Sequence, residues 1–294
     1  MSPKAEAIRI SKVLYAVLGE DRFPVDVRSA VIELSAQMYP NEPIKDIKPV
    51  PLDSFEGMLA KSPKGDKWII GLNENMDSLG RIRFTIAHEF GHYLLHRQRQ
   101  DNFNCTHEDM HTWDSQVRAI EAEADTFASY LLMPFDDYRK QIDGQKLSID
   151  LLRHCADRYG VSLTAAALKW REIAPGRVIV VAAKDGFLDW SCSNERAFRS
   201  GAFFATTKQT IEVPAKSLLN NAIRSPNGQT GTIQASHWLA REHPDVDLEE
   251  HAFVIEGKDY SYTLGVLVLP DLANRSLDDE DELLSPLNGQ ISFR

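Results

Sequence analysis

The chain has 294 residues, is 43% hydrophobic and carries a formal net charge of −10 with three cysteines. Its length points to about two or three domains with a real core, and its apolar fraction excludes wholesale disorder. No apolar run nears the ~18–20 residues of a bilayer span, so no membrane association is expected. Arg9 and Lys12 interrupt the N-terminal apolar positions, so this segment does not read as a signal peptide. Cys105, Cys155 and Cys192 cannot close a disulfide framework, which favours a reducing compartment and a cytoplasmic location. The charge is unevenly spread. Residues 1–139 sum to −6, residues 140–240 to +5 and residues 241–294 to −9, so the acidity does not exclude an anionic or nucleic-acid ligand for the middle of the chain.

In chain order, Ala5–Leu18 keeps helical spacing through Ile10, Val13, Leu14, Val17 and Leu18, and Gly19 marks its end. Pro24 opens a second helical stretch to Met38, and Pro43–Pro51 reads as a Pro-rich connector. Phe55–Ala60 and Trp68–Asn73 read as strands around a Ser62–Asp66 turn. Helices are expected over about Arg81–His96 and Asp114–Met133, separated by a polar loop at 97–113. From Ser148 the pattern is helix, Gly160, helix, and Pro175-Gly176 is the clearest boundary. Beyond it, Arg177–Ala183, Ile211–Val213, Ala252–Glu256 and Tyr260–Leu269 read as strands. Ser217–Arg224 and the region of His237 read as helical, and Asp278–Glu282 as part of a solvated tail.

The chemistry concentrates in Thr85-Ile86-Ala87-His88-Glu89-Phe90-Gly91-His92. Histidines four apart share one helix face, so His88 and His92 can reach a single tetrahedral ion. Glu89, next to the first of them, is placed to take a proton from an activated water and pass it to a leaving amine. A catalytic centre needs a third protein ligand and an open fourth position. His96 lies about 12 Å along the helix from His88, too far to share the ion comfortably. Glu121 is the stronger candidate. It precedes the apolar positions Ala124 and Ala128 by three and seven residues, and an acid on a packed face calls for a positive partner. Glu123 is its rival, and Asp125 is a candidate support for a ligand histidine through its free N–H.

Arg83–His96, with Glu121-x-x-Ala124-Asp125-x-Phe127-Ala128 and Leu131-Leu132-Met133-Pro134, resembles the ImmA/IrrE metallopeptidases over roughly residues 50–140. The resemblance implies an α+β chain with a zincin-like fold, Zn2+ held by His88, His92 and Glu121, and Glu89 as catalytic acid/base. It further implies cleavage of a specific protein, typically a helix-turn-helix transcriptional repressor, in the control of prophage, DNA-damage or antiphage operons. On this layout residues 1–143 form the peptidase domain and 144–175 a helix-turn-helix-like segment. Residues 176–274 then form a mixed α/β GAF-like sensor domain, with an acidic tail at 275–294.

Other expectations follow from the residues themselves. Cys105, in the loop between the two ligand-bearing helices, is a candidate inhibitory fourth ligand, because a thiolate binds zinc strongly. His107 and His111 are candidates for substrate or oxyanion contact, and Cys155 reads as packing. Histidines 237, 243 and 251 lack metal-ligand spacing and are expected at the surface. An extended substrate is expected to pair beside Trp68–Asn73. The mildly basic middle suits a nucleic-acid or other anionic activator. The competing reading is a DNA-binding or ligand-sensing regulator that uses the peptidase fold as an interaction module.

Overall fold

A computed structural model of the chain describes residues 2–52, 55–76, 78–105, 115–222, 228–257 and 260–271. The chain is α+β and divides into two compact units, Met1–Lys146 with Leu151–Ala166, and Leu147–Asp150 with Ala167–Arg294. Among the described residues no helix is long and apolar enough to cross a membrane. The acidic tail expected at 275–294 lies outside the described residues.

The first unit opens with α1 (Pro3–Leu18), which starts on Pro3 and buries Ala7, Ile10 and Leu14. Helix α2 (Val27–Met38) is capped by Asp26, whose carboxylate accepts the Ser29 N–H at 3.1 Å. Four strands follow: β1 (Ile44–Val50), β2 (Gly57–Lys61), β3 (Trp68–Asn73) and, after helix α3 (Leu79–His96), β4 (Asn102–Cys105). The sheet order is β1-β3-β2-β4, with β1 parallel to β3 and the other pairs antiparallel. Ser62 closes the β2–β3 turn, its carbonyl accepting the Gly65 N–H at 2.8 Å.

Two sequence expectations change here. The Pro43–Pro51 connector contains a strand, β1, which was hidden because only Ile44 and Ile47 of its residues are buried. A strand at the sheet edge tolerates Pro49 and exposed lysines. Strand β3 lies inside the sheet, hydrogen-bonded on both sides, so a substrate has no free edge along Trp68–Asn73.

Helix α3 packs on β2 and β3 and against α4 (Ser115–Leu132). Two glycines allow these contacts. A Cβ on Gly57 of β2 would stand 2.5 Å from Thr85 Cγ2 and 2.7 Å from Glu89 Oε1. One on Gly91 of α3 would stand 3.2 Å from the Ala124 Cα of α4. The strand backbone therefore lies directly against side chains of α3, and α3 and α4 approach at backbone distance, with Phe90, Ala124, Phe127 and Ala128 buried around the contact. Helices α5 (Phe135–Ile142) and α6 (Ile149–Tyr159) are joined by the buried Asp137, which accepts hydrogen bonds from Arg158 Nε at 2.8 Å and Tyr159 Oη at 2.6 Å. Helix α7 (Leu163–Ile173) belongs to the first unit up to Ala166 and to the second from Ala167.

The second unit is built on a five-stranded antiparallel sheet of β5 (Arg177–Lys184), β6 (Phe187–Ser193), β7 (Gln229–Gln234), β8 (Asp247–Glu256) and β9 (Ser261–Leu269). Its order is β6-β5-β9-β8-β7, which places the continuously buried Arg177–Ala183 run of β5 in the interior. Asp185 and Gly186 both take positive φ, 52° and 82°, the signature of a tight hairpin between β5 and β6. Strand β6 went unread in the sequence because its residues are mostly partly exposed. Ile211–Val213 contributes only an isolated bridge, Phe187 to Glu212, in place of the expected strand. Among the described residues, the helical expectations at Ser217–Arg224 and near His237 correspond to single 3-10 turns, Leu218–Asn221 and Ala235–His237, with residues 223 and 224 outside the described residues. His251 is 1% exposed, not at the surface, because β8 is an interior strand and carries it inward.

Candidate metal centre

The residues singled out in the sequence lie on two elements that pack directly. His88, Glu89, His92 and His96 are on α3, and Glu121, Glu123 and Asp125 on α4. Helical spacing turns His88 and His92 to the same side, and the Gly91–Ala124 contact lets Glu121 reach them. His88 Nε2 lies 2.9 Å from His92 Nε2 and 3.2 Å from Glu121 Oε2, and Glu121 Oε1 is 3.4 Å from His92 Nε2. All three side chains are buried, and one ligand atom from each falls within 4.8 Å of the others.

The rings' other nitrogens are engaged elsewhere. His88 Nδ1 is 2.9 Å from Asp125 Oδ1, and His92 Nδ1 is 3.1 Å from His96 Nδ1. Both histidines thus turn Nε2 toward the same point. Two imidazole nitrogens and one carboxylate, the fourth side left to other groups, form the donor set of a tetrahedral zinc centre with three protein ligands. The chain therefore has a potential metal-binding triad that fits such an ion.

Electrostatics agree. Burial pulls the His88 pKa down, but hydrogen bonds to Asp125 and Glu121 and the nearby charge of Glu89 outweigh it and push it up to about 10. Burial lowers His92 to about 4 despite Glu121. Burial alone would raise Glu121, yet its bonds to His88 and His92 bring it down to about 2. A proton on His88 thus supplies the positive charge that this buried carboxylate requires, and a cation can take that proton's place.

Glu89 is fully buried and stays outside the ligand triad, with its carboxylate against β2 at Gly57. His96 is outside it too. It lies next to His92, and its Nε2 is 2.8 Å from Glu123 Oε2, so the rival carboxylate is engaged away from the triad. Cys105 enters by backbone position: its Cα pairs with that of Gly57. His107 and His111 lie outside the described residues. Cys155 is buried in α6, near Tyr138. Two contributors were not read from the sequence. Phe103 of β4 stacks on the His92 ring at 4.7 Å and 23°, and Gly57 sets the strand against Glu89. A lone aromatic in a polar stretch and a glycine within a short strand carry little signal by themselves.

Residues 47–171 match the Peptidase_M78 family, described as the IrrE N-terminal-like domain. A solved structure described as a Mycobacterium tuberculosis transcriptional regulator is similar to this chain with a TM-score of 0.54 at 14% identity. The likeness covers 91% of this chain and 81% of that one, and it concerns the fold. No curated protein matches the chain. The match over residues 47–171 agrees with the resemblance carried by the His88-Glu89-x-x-His92 and Glu121 motifs and supports the IrrE N-terminal-like family for that part of the chain.

Proposed function

We propose that the protein is a zinc-dependent, site-specific endopeptidase that cleaves a partner protein, a helix-turn-helix transcriptional repressor, and so derepresses a stress, DNA-damage, prophage or antiphage operon in the cytoplasm. The observation that carries this reading is the convergence of His88 Nε2, His92 Nε2 and the Glu121 carboxylate beside a buried carboxylate, Glu89, that is not part of the triad. His88, His92 and Glu121 hold the metal. Zinc bound there supplies Lewis acidity, which activates water near neutral pH and polarises a peptide carbonyl. Glu89 takes the proton of the attacking water and hands it to the leaving amine, and its burial keeps that proton from leaking to bulk water. Asp125 holds the His88 ring in the tautomer that presents Nε2.

Among the described residues β4 is the terminal strand on the β2 side of the sheet. An extended substrate pairs with its outer edge, which satisfies the substrate backbone. Cys105 is seated opposite Gly57, the residue against Glu89. That position supports a role for its thiolate as an inhibitory fourth ligand. The antiparallel sheet of the second unit supports a GAF-like domain, the +5 balance of residues 140–240 supports an anionic ligand, and α6 and α7 support a helix-turn-helix-like segment at 144–175.

The test is cleavage of the repressor encoded beside this protein. Glu89→Gln keeps one zinc and loses about 10²–10⁴-fold in rate, the range of a general acid/base contribution. Undiminished cleavage by pure Glu89→Gln protein contradicts the assignment of Glu89, and absence of cleavage by the wild type leaves the regulator reading, in which the fold serves as an interaction module. A Cys105→Ser variant with unchanged basal cleavage removes the inhibitory thiolate.

A further inference from the structure

Helix α3 carries a third histidine in register with the first two, His96, at the same four-residue step. It is fully buried, as is His92. His96 Nδ1 lies 3.1 Å from His92 Nδ1, and His96 Nε2 lies 2.8 Å from Glu123 Oε2 on α4. Phe103 stacks over His92 and stands beside His96, which shields the Nδ1–Nδ1 contact with an apolar ring. Three polar groups therefore form one chain, Glu123 to His96 to His92, that ends at the candidate metal triad.

The protons of this chain can be placed from its chemistry. A carboxylate only accepts, so the nitrogen facing Glu123, His96 Nε2, carries the hydrogen. A neutral His96 then has a lone pair on Nδ1 and accepts there. The nitrogen facing it, His92 Nδ1, must donate, which leaves the His92 lone pair on Nε2, the atom that converges with His88 Nε2 and Glu121. With the His96 proton on Nδ1 instead, its Nε2 lone pair would face a carboxylate oxygen at hydrogen-bond distance. Glu123 thus decides the tautomer of a histidine it does not touch.

We infer that His96 and Glu123 are positioning residues for the metal centre. They lock His92 in the tautomer and ring orientation that present Nε2, as Asp125 does for His88 without an intermediary. The inference rests on the metal-centre reading above and assigns to Glu123 a role other than ligand. Groups that orient a metal ligand from behind are worth about 10–100-fold in metal affinity.

The experiment measures affinity by chelator competition and records the visible absorption of the Co2+-loaded protein, for the full chain and for three variants at Glu123. This side chain is half-exposed, so the variants fold. Glu123→Gln can turn its amide oxygen to His96 and is expected to bind within a few-fold of wild type with the same spectrum. Glu123→Ala should bind about tenfold more weakly. Glu123→Lys sets a donor against His96 Nε2, opposes the required tautomer, and should bind most weakly with an altered spectrum. His96→Phe should match or exceed the Ala loss. Equal affinity and identical spectra across the Ala, Gln and Lys variants overturn the relay while leaving the triad intact. Failure of the wild type to bind metal overturns the triad reading, and the relay with it.

Discussion

Both units of this protein bury charged groups, and they use them differently. In the second unit, Glu250 is almost completely buried, yet it accepts the Leu218 N–H at 2.9 Å and the Trp238 indole N–H, tying two turns to β8. Arg177 likewise donates to Glu242 at 2.6 Å and to the Pro270 carbonyl at 2.8 Å. These bonds run outward from each charge to scattered backbone and side-chain partners. In the first unit, His88, His92 and Glu121 send their donor atoms inward to one point, with supporting bonds behind them. Burial of charge is common to both, so it does not mark a functional site by itself. Convergence does, because lone pairs aimed at one another repel unless a cation or proton lies among them.

Substitutions on the two sides should break in different currencies. The largest effect is expected from Glu121→Ala, which removes a converging donor. Zinc affinity should fall by more than the 10–100-fold typical of a supporting group, read as lost zinc content after dialysis, while the second unit unfolds in urea as before. Gly57→Ala comes next. Its Cβ meets Glu89 Oε1 and Thr85 Cγ2, so the carboxylate must move. Displacements of about 1 Å can cost up to ~10²-fold in rate, and turnover should drop with one zinc retained. Glu250→Ala leaves the Leu218 N–H and the Trp238 indole unpaired. It should cost roughly 2–3 kcal/mol in the second unit, seen as a lower urea midpoint with unchanged zinc content. Zinc loss in this variant would contradict the separation of roles.

The smallest effect concerns acid stability. Burial raises the Asp137 pKa, but bonds from Arg158 and Tyr159 outweigh it and hold it below the usual carboxylate value of 3.8. A folded-state pKa below the unfolded one stabilises the protein above that value and loses the contribution as pH falls through the folded pKa. Asp137→Asn should therefore lower stability at neutral pH and flatten the acid limb of the stability profile, measured by urea midpoints between pH 7 and the acid transition. A profile as steep as wild type would assign the acid sensitivity to other groups.

Much of the candidate metal centre was legible because helix periodicity is a local property. The step from His88 to His92, and that from Glu121 to Ala124 and Ala128, place side chains on a face without reference to the rest of the fold. What periodicity could not show is which carboxylate of α4 meets which histidine of α3. That depends on the close approach at Gly91 and Ala124, and it sends Glu121 to His92 and Glu123 to His96. Strand β1 was concealed by its lysines and prolines, since an edge strand buries only Ile44 and Ile47. The Lys184-Asp185-Gly186-Phe187 hairpin did carry a signal, because Asp-Gly favours positive φ at both central positions. His251 misled for a different reason. Its spacing along the chain says nothing of whether its strand lies inside the sheet.

The most direct test is zinc K-edge X-ray absorption of the purified, zinc-loaded protein, compared with Glu121→Ala. The account predicts a shell of nitrogen and oxygen at about 2.0–2.2 Å with multiple scattering from two imidazoles, and loss of bound zinc in the variant. A sulfur at about 2.3 Å beside those two imidazoles would identify Cys105 as the fourth ligand. Three imidazoles in the shell, or an unchanged spectrum in Glu121→Ala, would contradict the assignment of His88, His92 and Glu121.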